Sequence, residues 1–379
     1  MSVTSIPEKV KIRLWGKAAG RCQYDGCNVP LWLDTITKYE FNTAYIAHII
    51  ADSPDGPRGD PVLSKQLEAD LSNLMLLCDQ HHRLIDKEDV TGHPISRLRS
   101  MKEIHERRIE VASNIGTDKQ SHVLLYGANI GELSSPVSFQ MASRAMLPDR
   151  YPAETTPISL GMVNSSFQDN SPEFWRIESV HLQRMITKLV RPRLAQGDIE
   201  HLSIFAVAPQ PLLMLLGFLL SELQAMEVYQ LHHEPRDWRW QEDPCCSEYL
   251  VFEPEKVKGP PALVLSLSAT IIDERVIAVL GEDVTIWRVT ITDPDNDFLK
   301  SPRQVRQFRQ QIRRLMDRIK SRHGEQTLIH VFPAMPVALA VETGRIIMPK
   351  TDLPIRIYDE NKDLGGFAHA LDINTHRES

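Results

Sequence analysis

The stretch Asn73-Leu-Met-Leu-Leu-Cys78-Asp-Gln-His81-His82 decides how the first third of the chain is read. Four apolar residues run into a cysteine and then, after two polar positions, into a pair of histidines. Upstream lie Cys22 and Cys27, with His48 between the two groups. Two close pairs of soft or borderline donors, Cys22 with Cys27 and Cys78 with His81, match the way a tetrahedral Cys3His zinc is assembled from two turns. His82 is then left over for chemistry. Exchanging the roles of His81 and His82 is the alternative assignment.

Around this stretch the sequence predicts a helix from Pro7 to Ala19, a strand from Thr43 to Ile50 that carries His48, and a helix from His81 to Lys87. Asp52-Ser-Pro-Asp-Gly-Pro-Arg-Gly59 is a loop by its Pro, Gly and Asp content. A second helix runs from Pro94 to about Ile115, with Leu98, Met101, His105, Ile109 and Ala112 at helical spacing. A strand histidine (His48), an asparagine (Asn73) and a histidine opening a helix (His82) follow the order of the HNH endonucleases, and the segment resembles that family. The resemblance implies an α+β, zinc-containing ββα-metal fold over residues 1–115.

Hydrolysis of a phosphodiester needs an activated water, a cation beside the leaving 3′ oxygen and in-line geometry. A neutral imidazole at His48 suits the general base, and His82 suits a ligand to Mg²⁺ or another divalent ion. Asn73 either pins the loop that orients His48 or reaches the metal itself. Cys22, Cys27, Cys78 and His81 are expected to hold a structural Zn²⁺. Many HNH enzymes carry Asp or His before the first motif histidine, whereas this chain has Ala47; Asn73 and Asp52 are the candidates for the second metal ligand.

At 379 residues the chain has room for two or three domains. No Arg-rich or apolar leader is visible at the N-terminus, so a cytoplasmic protein is expected. The longest apolar run, Pro211 to Leu220, is too short to span a bilayer, and no membrane partner is expected. Of five cysteines only the neighbours Cys245 and Cys246 remain outside the zinc set; they read as packing residues and argue against a disulfide framework.

The net charge is −7, and residues 1–115 hold 15 Lys and Arg against 16 Asp and Glu, so bulk charge gives no support for DNA binding. Phosphate contacts must come from local clusters such as Arg13, Lys17 and Arg21, or Arg97, Arg99, Lys102, Arg107 and Arg108, which solvated helix faces explain equally well. Trp175, Trp238, Trp240 and Trp287 read as packing rather than as stacking platforms.

Residues 116–158, with Pro136, Pro148, Pro152 and Pro157, read as a connector. From residue 159 to 379 strands and helices alternate, the pattern of a layered α/β domain. Strands are predicted at Ile158 to Val163, Leu202 to Ala208, Ala262 to Leu267, Val284 to Ile291, Leu328 to Phe332 and Ile355 to Tyr358. Helices are predicted at Ile177 to Leu194, Pro211 to Met226 and Pro302 to Arg322. The last one also carries Arg306, Arg309, Arg313 and Arg318, read first as a solvated face and second as a contact for nucleotide phosphates or another subunit.

Two strand-to-helix turns share one construction: Leu202-Ser-Ile-Phe-Ala-Val-Ala-Pro209-Gln-Pro211 and Leu328-Ile-His-Val-Phe-Pro333-Ala-Met-Pro336. In each, a strand is expected to end at a Pro and a second Pro to open the next helix, which turns free N–H groups toward the carboxyl edge of the sheet. Ordinary proline helix starts give the same pattern. Following an HNH segment, the two turns resemble the SAVED domain, two fused CARF-like Rossmann units that sense cyclic oligonucleotides. Pro209, Gln210, Ser268, Pro333, Ala334 and Met335 are the candidate ligand contacts.

The whole chain thus resembles the HNH-SAVED effector nucleases of CBASS anti-phage systems. The resemblance implies an endonuclease acting on double-stranded DNA, switched on by a cyclic di- or oligonucleotide from a partner nucleotidyltransferase, and assembling into larger homo-oligomers when it binds. Two other readings stay open: a restriction-like HNH enzyme whose C-terminal domain recognises modified DNA, and a zinc-structured binding module without catalysis.

Overall fold

The structure is a computed structural model that describes residues 5–131, 137–162, 167–221, 225–241, 248–349, 351–361 and 365–375. It divides into two compact units, Met1–Gly116 and Thr117–Ser379. Cys245 and Cys246 lie outside the described residues. Among the described residues no helix is long and apolar enough to cross a membrane.

In the first unit, helix α1 (Glu8–Ala18) starts behind Pro7 and ends where Ala19 and Gly20 turn left-handed, with φ of 49° and 62°. Strand β1 (Tyr45–His48) pairs antiparallel with β2 (Leu74–Leu77), placing His48 opposite Leu74 and Ala47 opposite Met75. The short α2 (Leu63–Gln66) lies in the connection between them. Directly after β2, α3 (Asp79–Arg83) begins at Cys78 and continues as a single π turn, Leu84–Glu88; α4 (Ile95–Ser113) then packs on α1. All four residues of β2 are fully buried, joining Leu14, Leu31, Ile49, Ile85 and Leu98 in one core. The architecture is two strands followed at once by a helix, with α1 and α4 beside them.

The second unit begins earlier than the sequence suggests. Strand β3 (Gln120–Gly127) falls in the stretch expected to be a connector, yet it is buried from Ser121 to Tyr126 and is the hub of a parallel sheet. It pairs with β4 (Tyr151–Pro152), β5 (Ile158–Ser159) and β6 (Leu202–Val207), and β6 pairs with β7 (Met226–Val228). Its apolar run, Val123 to Tyr126, is short, and its first residues are polar because Ser121 bonds to His201 and Ser203 at 2.8 Å inside the sheet. Helix α5 (Phe139–Ala145) covers β3. The helix expected from Ile177 to Leu194 is α6 (Pro172–Met185), a π turn and α7 (Arg191–Ala195). Helix α8 (Gln210–Leu219) is shorter than expected, since Met226 begins β7.

The second sheet has the order β13-β12-β11-β9-β10-β8. Its members are β8 (Leu250–Phe252), β9 (Pro261–Ser266), β10 (Thr285–Thr290), β11 (Ile329–Ala334), β12 (Ile355–Asn361) and β13 (Gly366–Ile373). The inner four run parallel, and β8 and β13 close the edges antiparallel. Helix α9 (Asp273–Leu280) joins β9 to β10, α10 (Pro302–His323) joins β10 to β11, and α11 (Val337–Ile346) joins β11 to β12. The two halves have the same plan, with β5-β3-β6-β7 answering β10-β9-β11-β12.

The correspondence is closest at the inner helices. Strands β6 and β11, helices α8 and α11, and the glycines Gly217 and Gly344 are all separated by 127 positions (329 minus 202, 337 minus 210, 344 minus 217). Helices α8 and α11 cross face to face at these glycines. A Cβ on Gly217 would sit 1.9 Å from the carbonyl of Val341, and one on Gly344 would sit 1.9 Å from the carbonyl of Met214, the equivalent residue of the other half. Only glycine allows backbones so close, and the apolar character of α8 on nearly all sides follows from its place between the halves.

Candidate functional site

The chain from Cys22 to Cys27 makes a tight knuckle closed by Gly26 in the left-handed region, φ 75°, while Cys78 stands at the start of α3. Their sulfurs and the imidazole of His81 converge: the donor atoms of Cys22, Cys27, Cys78 and His81 all lie within 4.8 Å of one another. His81 Nδ1 is 3.1 Å from Cys78 Sγ and 3.7 Å from Cys22 Sγ, so His81 and not His82 belongs to the cluster. Burial, and then the neighbouring Cys78 and Cys27, push the Cys22 thiol well up, and burial lowers the basicity of His81. Three crowded thiols ionise together only around a cation, and a neutral imidazole is what a metal takes; the donor set fits a tetrahedral zinc-type ion.

The cluster is held by residues the sequence pattern did not single out. Tyr24 stacks on His81 with ring centroids 4.0 Å apart, and its hydroxyl meets His93 Nε2 at 3.0 Å. Gln23 fastens the knuckle to β2, accepting from Leu76 N at 2.8 Å and donating its own N–H to Leu76 O at 2.9 Å.

Beside the cluster, His48 Nε2 lies 2.9 Å from the carbonyl of Glu68. A carbonyl can only accept, so Nε2 carries a proton, and in the neutral ring Nδ1 is the nitrogen with the lone pair. Asn73 uses its whole amide on backbone: Oδ1 accepts from Ile50 N at 2.8 Å, and Nδ2 donates to Ile50 O at 2.8 Å and Leu67 O at 3.2 Å. These bonds are those of the pinning role, tying the chain after β1 to Leu67. His82 faces Asp86 one turn on, with Nε2 3.4 Å from Oδ2, and stacks on Tyr45. The other oxygen of Asp86 accepts from Arg58 at 2.6 Å. Arg58, in the left-handed region at φ 58°, also donates to the carbonyls of Ile49 and Ile85 at 2.8 and 2.7 Å, and to His48 O at 3.3 Å. Asp86 was legible as the fourth residue after His82 on a helix; Arg58 carried no signal beyond its place in a polar loop. A nitrogen from His82 and an oxygen from Asp86 thus face each other 3.4 Å apart, two donors that a divalent ion of the transition series would accept.

The basic residues expected to meet phosphate are partly compensated. Arg13, Lys17, Arg99 and Lys102 line one cavity of about 720 Å³ together with Asp70, Glu103 and Glu106. Glu106 pairs with both Lys17 and Lys102, which leaves Arg13 and Arg99 as the lining cations without a salt bridge among the described residues.

In the second unit the two proline turns meet. Gln210, at the start of α8, accepts from Met335 N at 3.2 Å, and Gln230, after β7, accepts from Ala338 N at 3.2 Å. Of the N–H groups opening α11, that of Ala338 is thus capped by the other half, and that of Met335, just before the helix, is bonded there too. Strand β11 also continues through Pro333 to Ala334, whose carbonyl accepts from Leu267 and Ser268 at 2.8 and 2.7 Å. The sequence profile described as "SMODS-associated and fused to various effectors sensor domain", SAVED, matches residues 182–373. The chain belongs to the SAVED family. Solved structures of similar fold include the Acinetobacter baumannii Cap4 SAVED/CARF-domain containing receptor with the cyclic trinucleotide 2'3'3'-cAAA, at 11% identity and TM-score 0.44, covering 77% of this chain and 65% of that one. The same receptor without a named ligand gives 12%, 0.42, 76% and 60%, and the Moraxella osloensis Cap4 receptor 9%, 0.41, 82% and 70%. The chain therefore spans less than two thirds of the A. baumannii receptors. No curated protein matches it.

Within the SAVED unit, Pro209, Pro333 and Met335 are buried, while Gln210, Ser268 and Ala334 are half-exposed. Of the six expected contacts, these last three are the ones a ligand at the strand ends could touch. Trp175, Trp238 and Trp287 are buried as packing residues.

Proposed function

We propose that this protein is a DNA endonuclease of the HNH type whose SAVED unit senses a cyclic nucleotide, an effector of CBASS-like antiviral defence. The observation that carries the reading is the polarised imidazole of His48, protonated on Nε2 by its bond to Glu68 O and held by Arg58 near a helix bearing His82 and Asp86. Nδ1 of His48 accepts a proton from water as that water attacks phosphorus. His82 and Asp86 hold the divalent ion, which, when bound, stabilises charge on the leaving oxygen. Asn73 keeps the chain after His48 in place through its two bonds to Ile50. Cys22, Cys27, Cys78 and His81 hold zinc and fix the start of α3.

For the sensing role, membership of the SAVED family and the junction of the two halves at Gln210 and Met335 are the support. A cyclic oligonucleotide is the ligand named for the A. baumannii receptors, and the same class is proposed here. Because the chain carries a net charge of −7 and its N-terminal basic cavity is half neutralised, cleavage is expected to need several chains side by side.

The test uses the purified full-length chain with Mg²⁺, plasmid DNA and a panel of cyclic di- and trinucleotides, followed by gel electrophoresis and light scattering. Cleavage and enlargement only with a cyclic nucleotide, both retained or lost as one and cleavage absent in His48→Ala, support the reading. Nucleotide-independent cleavage of modified DNA would favour the restriction-like enzyme. Absence of cleavage under every condition would leave a sensor without this chemistry.

A further inference from the structure

Helix α10 presents Arg306, Arg309, Arg313 and Arg314 at the spacing of one helical stripe, and they share an open cavity of about 760 Å³ with Arg345 of α11. No acidic side chain is among the described residues that line it. The nearby acids are already matched: Glu342, 3% exposed, holds Arg345 at 2.6 Å and Arg309 at 3.2 Å, and Asp352 accepts from Arg313 at 2.6 and 2.7 Å. These pairs fix three guanidinium groups in place. Arg306 and Arg314 are exposed and make no salt bridge among the described residues. The remaining wall is apolar, formed by Ile346, Met348 and Pro349, with Met348 52% exposed.

We infer that this cavity is a second ligand site, which takes the phosphates of a nucleotide on the arginine stripe and its base against the Met348 wall. Guanidinium forks suit phosphate, and the size suits a small phosphorylated ligand. The site is distinct from the strand-end junction. Apart from the α10 stripe, its lining residues sit in or just after the last turns of α8 and α11, each ten residues long, so it lies about 15 Å of helix away from Gln210 and Met335. A solvated basic face explains the stripe alone; it does not explain five arginines converging on a concave, partly apolar wall.

The experiment is calorimetric titration of the full-length chain with ADP, and separately with a short DNA duplex, for the wild type, an Arg306→Ser/Arg314→Ser variant and a Gln210→Ala variant. ADP binding that weakens roughly tenfold or more in the arginine variant and is unchanged in Gln210→Ala supports the site. Both arginines lie on the surface, so the melting temperature should stay at the wild-type value; if it does not, Arg306→Gln alone replaces the double variant. Binding of the duplex without ADP, ADP affinity indifferent to the arginines, or loss of ADP binding in Gln210→Ala overturns it.

Discussion

The guanidinium of Arg58 meets the carboxylate of Asp86 at 2.6 Å across 28 positions of sequence. The same guanidinium reaches the carbonyls at the end of β1 and in the π turn, so one side chain ties the strand of His48 to the helix of His82. Arg58→Ala should cost the first unit about 3 kcal/mol, since a largely buried pair is broken and the carbonyls lose their donor. DNA cleavage should fall with it, while zinc stays bound. Thermal melting with metal analysis checks this, and an unchanged melting temperature would remove Arg58 from its role as a tie.

Zinc makes a separate claim. Cys78→Ser should abolish metal content and open residues 1–116 to proteolysis, because structural zinc supplies folding free energy to a small unit. The SAVED unit should remain resistant. Full metal occupancy in the variant, measured by mass spectrometry, would show the donor set to be wrong.

At the helix crossing, Gly217→Ala places a methyl 1.9 Å from the carbonyl of Val341, and backbone must move to admit it. Destabilisation of about 3 kcal/mol or more is expected, with Gly344→Ala giving a similar loss by the reciprocal clash. Binding of a cyclic nucleotide should weaken in both. A melting curve equal to the wild type in either variant would contradict the close approach.

His201 provides a pH signature. Burial first, and then Arg150, lower its pKa from 6.5 to about 4, and its Nδ1 lies 2.8 Å from the Ser121 hydroxyl. The unfolded chain therefore binds more protons than the folded one between these values. Stability from this group is present above about pH 6.5 and is lost as pH falls toward about 4. His201→Gln should flatten that slope in melting temperatures recorded from pH 7 to pH 4.5. A parallel profile in the variant would assign the acid sensitivity elsewhere.

The parts legible in the sequence are those in which chemistry forces residue types into short spacings. Cys22 with Cys27 and Cys78 with His81 are close in the chain because a metal needs paired turns, and the structure gathers these four atoms. His48 was read on a strand and His82 at the opening of a helix, and the structure has them on these elements, with Asn73 ending a short 3-10 turn just before β2. Arg58 was illegible because its partners are carbonyls, which any sequence supplies. Strand β3 was missed because polar Ser121 and His122 open it, and a pattern search reads buried hydroxyl networks as surface. The repeat was visible only in its prolines; the glycines that give it its exact register look like ordinary small residues until the two helices are seen to touch.

Where α8 and α11 meet, main chain rests on main chain, with Met214 and Val341 supplying the touching carbonyls. At Gly217 and Gly344 themselves there is no side chain to change rotamer and absorb a shift. The crossing is therefore a pivot without play: tilting one helix carries the other, and each begins at the strand ends where Gln210 reaches Met335. A molecule that spread or drew together those ends would bear on both helices through this one crossing.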